Sequence, residues 1–176
     1  LIATEKSVGW IFGIASAFLY AIFFYRMDTW GLFSQQIAYI ILGFYGLFTW
    51  SDQKEALPVR TMGKAIWIWV LLSFLVGILF FSVVLWFEFG VKLTFSIYLL
   101  YAWREALDAQ FFVFSLLATW LTTRKVLENW LVWIVVNIAG VIWFCAEHWW
   151  STAILYFAYL LLGVNGFRKW KKQLSA

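Results

Sequence analysis

Trp130, Trp133 and Asn137 are separated by three and then four residues, the spacing that sets side chains on one face of a helix. Two indoles and an amide then point the same way. An indole face attracts a flat cation with roughly 0.5 to 2 kcal/mol, depending on desolvation, and an amide offers both a donor and an acceptor. The chain holds 14 tryptophans, and Trp favours membrane interfaces, so Trp130 also reads as an ordinary belt residue. Gln36 and Tyr39 lie one turn apart and suit either ligand hydroxyls or a helix-to-helix hydrogen bond. The same two readings hold for Asn165. Asp108 opens an apolar run beside Arg104 and Glu105; it is a candidate gate, or an acid that complements a helix dipole. Arg124, Lys125 and Glu128 read first as a solvated loop, with pairing at i, i+4 as the alternative.

Other chemistries are excluded. One His and one Cys cannot build a His/Cys metal cluster, and no G-x-x-x-x-G-K-[ST] loop is present to cradle a nucleotide phosphate. No metal and no cofactor is expected. Asp108, Glu128 and Glu147 all fall near helix ends, which leaves no carboxylate relay for proton coupling. A membrane enzyme ranks last, because the spans hold no plausible nucleophile and base pair.

The elements that must position these residues are set by composition. Hydrophobic residues form 65% of the 176, charged residues 12% and aromatic residues 23%, a balance that polar surface cannot cover in water. The chain reads as an all-α integral membrane protein in a lipid bilayer, with spans at 8–25, 31–50, 65–87, 106–122, 129–146 and 151–167. Strand-like alternation is absent, which argues against a barrel. Alternating the six spans places ten of the 13 basic residues on the side of the C-terminal run Arg168, Lys169, Lys171 and Lys172. The positive-inside rule makes that side cytoplasmic. The net charge of +4 follows from this topology and gives no reason to invoke nucleic acid. The first span lacks a cleavage region, so it reads as structural rather than as a signal. Cys145 lies within an apolar span and says little about redox compartment.

Shifted by 120 residues without gaps, the chain repeats itself. Trp10, Ile14, Tyr39, Gly43, Gly46 and Trp50 meet Trp130, Ile134, Tyr159, Gly163, Gly166 and Trp170, among 12 identities in 50 positions, where shared composition gives roughly three or four. Two apolar units that read in the same direction imply parallel halves with a site between them. The organisation expected is a first helical repeat at 1–50, then a loop, linker helix and outer aromatic segment at 51–103. A second three-helix repeat at 104–170 and a basic cytoplasmic tail at 171–176 complete it. Copy one places Gly13 and Ala17 where copy two has Trp133 and Asn137, and with Gly9 they form a small-x-x-x-small pattern suited to close helix contact. Gly43, Gly46, Gly163 and Gly166 suit paired hinges or close packing. Gln36 aligns with Tyr156 and is specific to copy one; Tyr39 aligns with Tyr159, which favours a structural role for it.

The stretch TRKVLENWLVWIVVN (Thr123 to Asn137), with Trp103, Asp108 and the closing NGFRKW (Asn165 to Trp170), resembles the PnuC family of vitamin transporters. Gln36, Tyr39 and YGLFTW (Tyr45 to Trp50) match its first half. The resemblance implies a three-plus-one-plus-three helix architecture similar to SWEET transporters. It also implies uptake of nicotinamide riboside, whose ring is a pyridinium cation, with trapping by a separate kinase, and assembly as a homotrimer. Related members carry thiamine or riboflavin. Substrate-binding roles then fall to Trp130, Trp133, Asn137, Gln36, Tyr39 and Asn165. Six spans are visible where seven are implied, so one helix of copy one is expected to precede Leu1. The competing class is a non-transporting helical subunit that binds another membrane chain through its aromatic faces. Asn137 separates the two, since a partner-facing groove would keep that position small or apolar.

Overall fold

The computed structural model describes residues 6–28, 30–51, 57–89 and 110–175. They form six helices, α1 (Val8–Arg26), α2 (Trp30–Ser51), α3 (Ala65–Phe89), α4 (Gln110–Thr123), α5 (Asn129–Ala146) and α6 (Trp150–Leu174). Each expected span is met by a helix. Four of them, Val8–Arg26, Leu32–Ser51, Asn129–Ala146 and Trp150–Leu174, are long and apolar enough to cross a bilayer. Large apolar side chains such as Phe12, Leu19, Ile41, Phe48, Val135, Ile142 and Ile154 stand exposed on them, as lipid-facing side chains would. The basic tail is helical as far as Leu174. Asp108 and the aromatic segment at 91–103 lie outside the described residues.

Two compact units divide the chain, one of residues 1–62 and 118–176, the other of residues 63–117, with the boundary inside α4. In the second unit, the Gln110 amide donates to the Phe74 carbonyl at 3.2 Å and lies against Gly77 of α3.

The first unit pairs α1 with α2 and α5 with α6, and the turns joining the pairs repeat as the sequence does. Asp28 and His148, 120 residues apart, both adopt the left-handed conformation, with φ of 54° and 61°. After α5 the His148 amide donates to the Cys145 carbonyl and the Trp149 amide to the Phe144 carbonyl. This doubly bonded helix ending carries its usual apolar clasp, the stacked rings of Phe144 and Trp149. After α1 the Asp28 amide donates to Tyr25 in the same way. The residue type at the turn has diverged while the backbone has not.

Lys125 ends α4 by the same device, with φ of 49°, its amide bonded to Thr122 and that of Val126 to Leu121. Its carbonyl accepts the Arg60 amide at 3.0 Å, and the Leu127 amide donates to the Arg60 carbonyl at 2.9 Å, a parallel bridge between two loops. Beside it the Met62 amide donates to both oxygens of Glu128, at 3.0 and 3.2 Å. The solvated loop expected at 124–128 is therefore corrected. Lys125 is only 3% exposed, and its ammonium lies 5.0 Å from the Trp50 ring centre. The Arg124 guanidinium lies over Tyr45 and Trp120. Aromatic faces here take the place of water around the two cations.

Candidate functional site

A cleft of about 360 Å³ opens within the first unit, between α1 of the first copy and α4, α5 and α6. Its walls are Gly9, Trp10 and Gly13 of α1, Thr119 and Thr122 of α4, Trp130, Trp133 and Asn137 of α5, and Tyr159, Leu162 and Gly163 of α6. The volume is in the range of small-molecule sites. None of these side chains is charged.

The end of the cleft near Trp10 and Trp130 is built by the repeat. Trp10 meets Trp50 edge to face at 5.3 Å and 86°, and Trp130 meets Trp170 at 5.2 Å and 81°. Trp50 and Trp170 in turn approach to 6.4 Å, which joins the two copies. Each inner indole lies on a glycine. A Cβ at Gly46 would stand 2.6 Å from Trp10, and one at Gly166 would stand 2.6 Å from Trp130. One turn earlier, Ile14 presses on Gly43 and Ile134 on Gly163. Of the two roles read for these glycines, close packing is the one observed. The Trp50 indole donates to the Thr123 carbonyl at 3.0 Å, whereas the Nε1–H groups of Trp10, Trp130 and Trp170 are buried with no acceptor among the described residues.

Trp130 is thus no lipid-facing belt residue: it is 8% exposed and packs with Leu127 and Trp170. Trp133, one turn on, is only half-buried and offers ring surface to the cleft. Asn137 follows it, is 4% exposed and stands on the cleft wall. From that wall its amide offers a donor and an acceptor to whatever occupies the cleft. Below it the Thr122 hydroxyl bonds Ala118 and Asn129, and the Asn129 amide bonds Val126, which fixes the junction of α4 and α5.

The structure brings Trp130, Trp133 and Asn137 together. It does not bring Gln36, Tyr39 or Asn165 into the same wall. Gln36 and Tyr39 are half-buried on α2, where the Tyr39 hydroxyl accepts from Gln35 at 3.2 Å, and Asn165 is exposed on α6. Tyr159, the partner of Tyr39 in the repeat, does line the cleft. Trp10, Thr119, Thr122, Tyr159, Leu162, Gly163 and the α1 glycines are the wall residues that sequence reasoning missed. The glycines carried a signal, since the repeat sets Gly13 against Trp133. Close helix contact at Gly13 is a further correction: among the described residues no heavy atom of a neighbouring element lies within 4 Å of where its Cβ would be.

Helices of this length and composition, with a ligand-sized cleft between two repeated helix pairs, define a multi-pass helical membrane protein. The model for the family described as nicotinamide mononucleotide transporter matches residues 1–172, and the chain belongs to that family. It is 25% identical over 188 residues to the nicotinamide riboside transporter PnuC of Escherichia coli (strain K12), an alignment covering 97% of this chain and 78% of the relative. The PnuC of Shigella flexneri gives the same values. The crystal structure of the vitamin B3 transporter PnuC shares the fold, with a TM-score of 0.68 at 23% identity, covering 99% of this chain and 75% of the other. The resemblance drawn from the sequence is borne out at the level of family.

Proposed function

We propose that the chain carries nicotinamide riboside across the membrane by facilitated diffusion. The observation that carries this reading is Asn137, an amide 4% exposed, one turn from the half-buried Trp133 on a cleft wall. The pyridinium ring lies against Trp133, where cation and indole face attract. Its carboxamide pairs with Asn137, donor to acceptor and acceptor to donor. Trp130 is held by its glycine and by Trp170, and closes the end of the site. The ribose hydroxyls meet Thr119, Thr122 and Tyr159. The described wall, which is uncharged, favours the riboside over a phosphorylated nucleotide, because a buried phosphate needs paired charge and no Lys or Arg among the described residues lines the cleft.

Transport then proceeds by alternating access between two halves of a three-plus-one-plus-three arrangement, in an inner membrane with the C-terminus cytoplasmic. The basic residues gathered on that side support the orientation. Accumulation comes from phosphorylation by a separate kinase, and the protein itself is no enzyme. Homotrimeric assembly is part of the same reading. The test uses proteoliposomes without a kinase and with the membrane potential clamped to zero. Labelled riboside should equilibrate to equal concentrations inside and outside, whatever pH or sodium gradient is imposed. An overshoot under that clamp would require a coupling ion and would contradict the uniport.

A further inference from the structure

Seven helical glycines divide by what a side chain at each would meet. At Gly43, Gly46, Gly77, Gly140 and Gly166 a Cβ would come within 2.6 Å of a neighbouring side chain, and at Gly163 within 3.3 Å. Packing accounts for all six. Gly13 differs, because no described atom of a neighbouring element lies within 4 Å of its Cβ position. A glycine inside a helix is destabilising relative to alanine, and here no neighbour and no unusual φ compensates. What the missing side chain leaves is room in the cleft, whose wall includes both Gly13 and, on α5, its repeat counterpart Trp133. Asn137, 4% exposed on the same wall, marks that room as a ligand's, since its amide offers both a donor and an acceptor there.

We infer that Gly13 sets the size limit of the substrate cleft: the bare backbone of α1 gives the bound ring and its sugar the space that a side chain at this position would take. This rests on the riboside reading given above. One copy of the repeat supplies the aromatic wall and the other, at the equivalent position, supplies the void. A methyl group at residue 13 would meet the ligand and no described atom of a neighbouring element, and a branched chain would compete for the ligand's volume.

The test is calorimetric binding of nicotinamide riboside to the purified full chain, with thermal unfolding measured on the same samples. Gly13→Ala should unfold at the wild-type temperature or above and bind the riboside at least threefold more weakly. Gly13→Leu should bind it at least tenfold more weakly. Retention of wild-type affinity within twofold by Gly13→Leu would overturn the inference while leaving the riboside reading intact. A lower unfolding temperature for Gly13→Ala would also overturn it, by showing that the position is packed. Absence of riboside binding by the wild-type chain would remove the site reading and this inference together.

Discussion

The α1–α2 and α5–α6 pairs are two copies of one design that agree at one end and part in the middle. At the shared end the agreement extends to individual contacts: Trp10 on Gly46 and Trp50, Trp130 on Gly166 and Trp170, Ile14 on Gly43, Ile134 on Gly163. One turn on from Trp10 and Trp130, on either side of the matched Ile14 and Ile134, the first copy carries Gly13 and Ala17 where the second carries Trp133 and Asn137. The difference teaches where constraint acts. A tryptophan seated on a glycine fixes a helix crossing, and both copies need that crossing. The middle of the helix faces a cleft whose walls differ, as the proposed riboside, with one cationic ring and one carboxamide, would require.

The largest effect should come from removing the shared end. Trp170 is fully buried, so Trp170→Ala should destabilise the protein by about 3–5 kcal/mol, read as a fall in unfolding temperature in detergent. Trp149→Ala, at a residue 62% exposed, should leave that temperature nearly unchanged. Equal effects of the two would show that the tryptophan cluster is not the structural junction of the copies.

Next in size is the divergent middle. Trp133→Ala should weaken riboside binding by roughly 1 to 3 kcal/mol through lost stacking and apolar contact. Gln36→Ala, outside the described wall, should weaken it by less than about 0.5 kcal/mol, a typical value away from a site. A reversed order in calorimetry would move the site towards α2.

The smallest effect sharpens the role of the seats. Gly166→Ala forces a methyl group into Trp130, an overpacking cost of about 1–3 kcal/mol, offset by about 1 kcal/mol of helix propensity. A net fall in stability is expected, and Gly46→Ala should match it in the other copy. A gain in stability from either would return these glycines to the hinge reading.

Much of this was legible in the chain. Six apolar runs became six helices, and the indole–amide face of α5 followed from spacing alone, because i, i+3 and i+7 fix a face without knowledge of neighbours. The role of Gln36 and Tyr39 was not legible. In a helix that is apolar all round, no polar stripe marks the inward side, so the rotation of α2 about its axis cannot be read from its residues. Nor was the burial of Lys125, since its partners come from elsewhere: Trp50 from α2 and the Arg60 amide from a loop 65 residues earlier. Gly13 and Gly46 look alike as letters, and only the presence or absence of an indole over the backbone separates a seat from a void.

The measurement that tests the account most directly is a structure of the full chain determined with nicotinamide riboside bound at saturation. The account predicts the pyridinium ring against the face of Trp133, its carboxamide within hydrogen-bonding distance of the Asn137 amide, and its sugar beside Gly13. A riboside bound away from this cleft, with Asn137 left unpartnered, would contradict it.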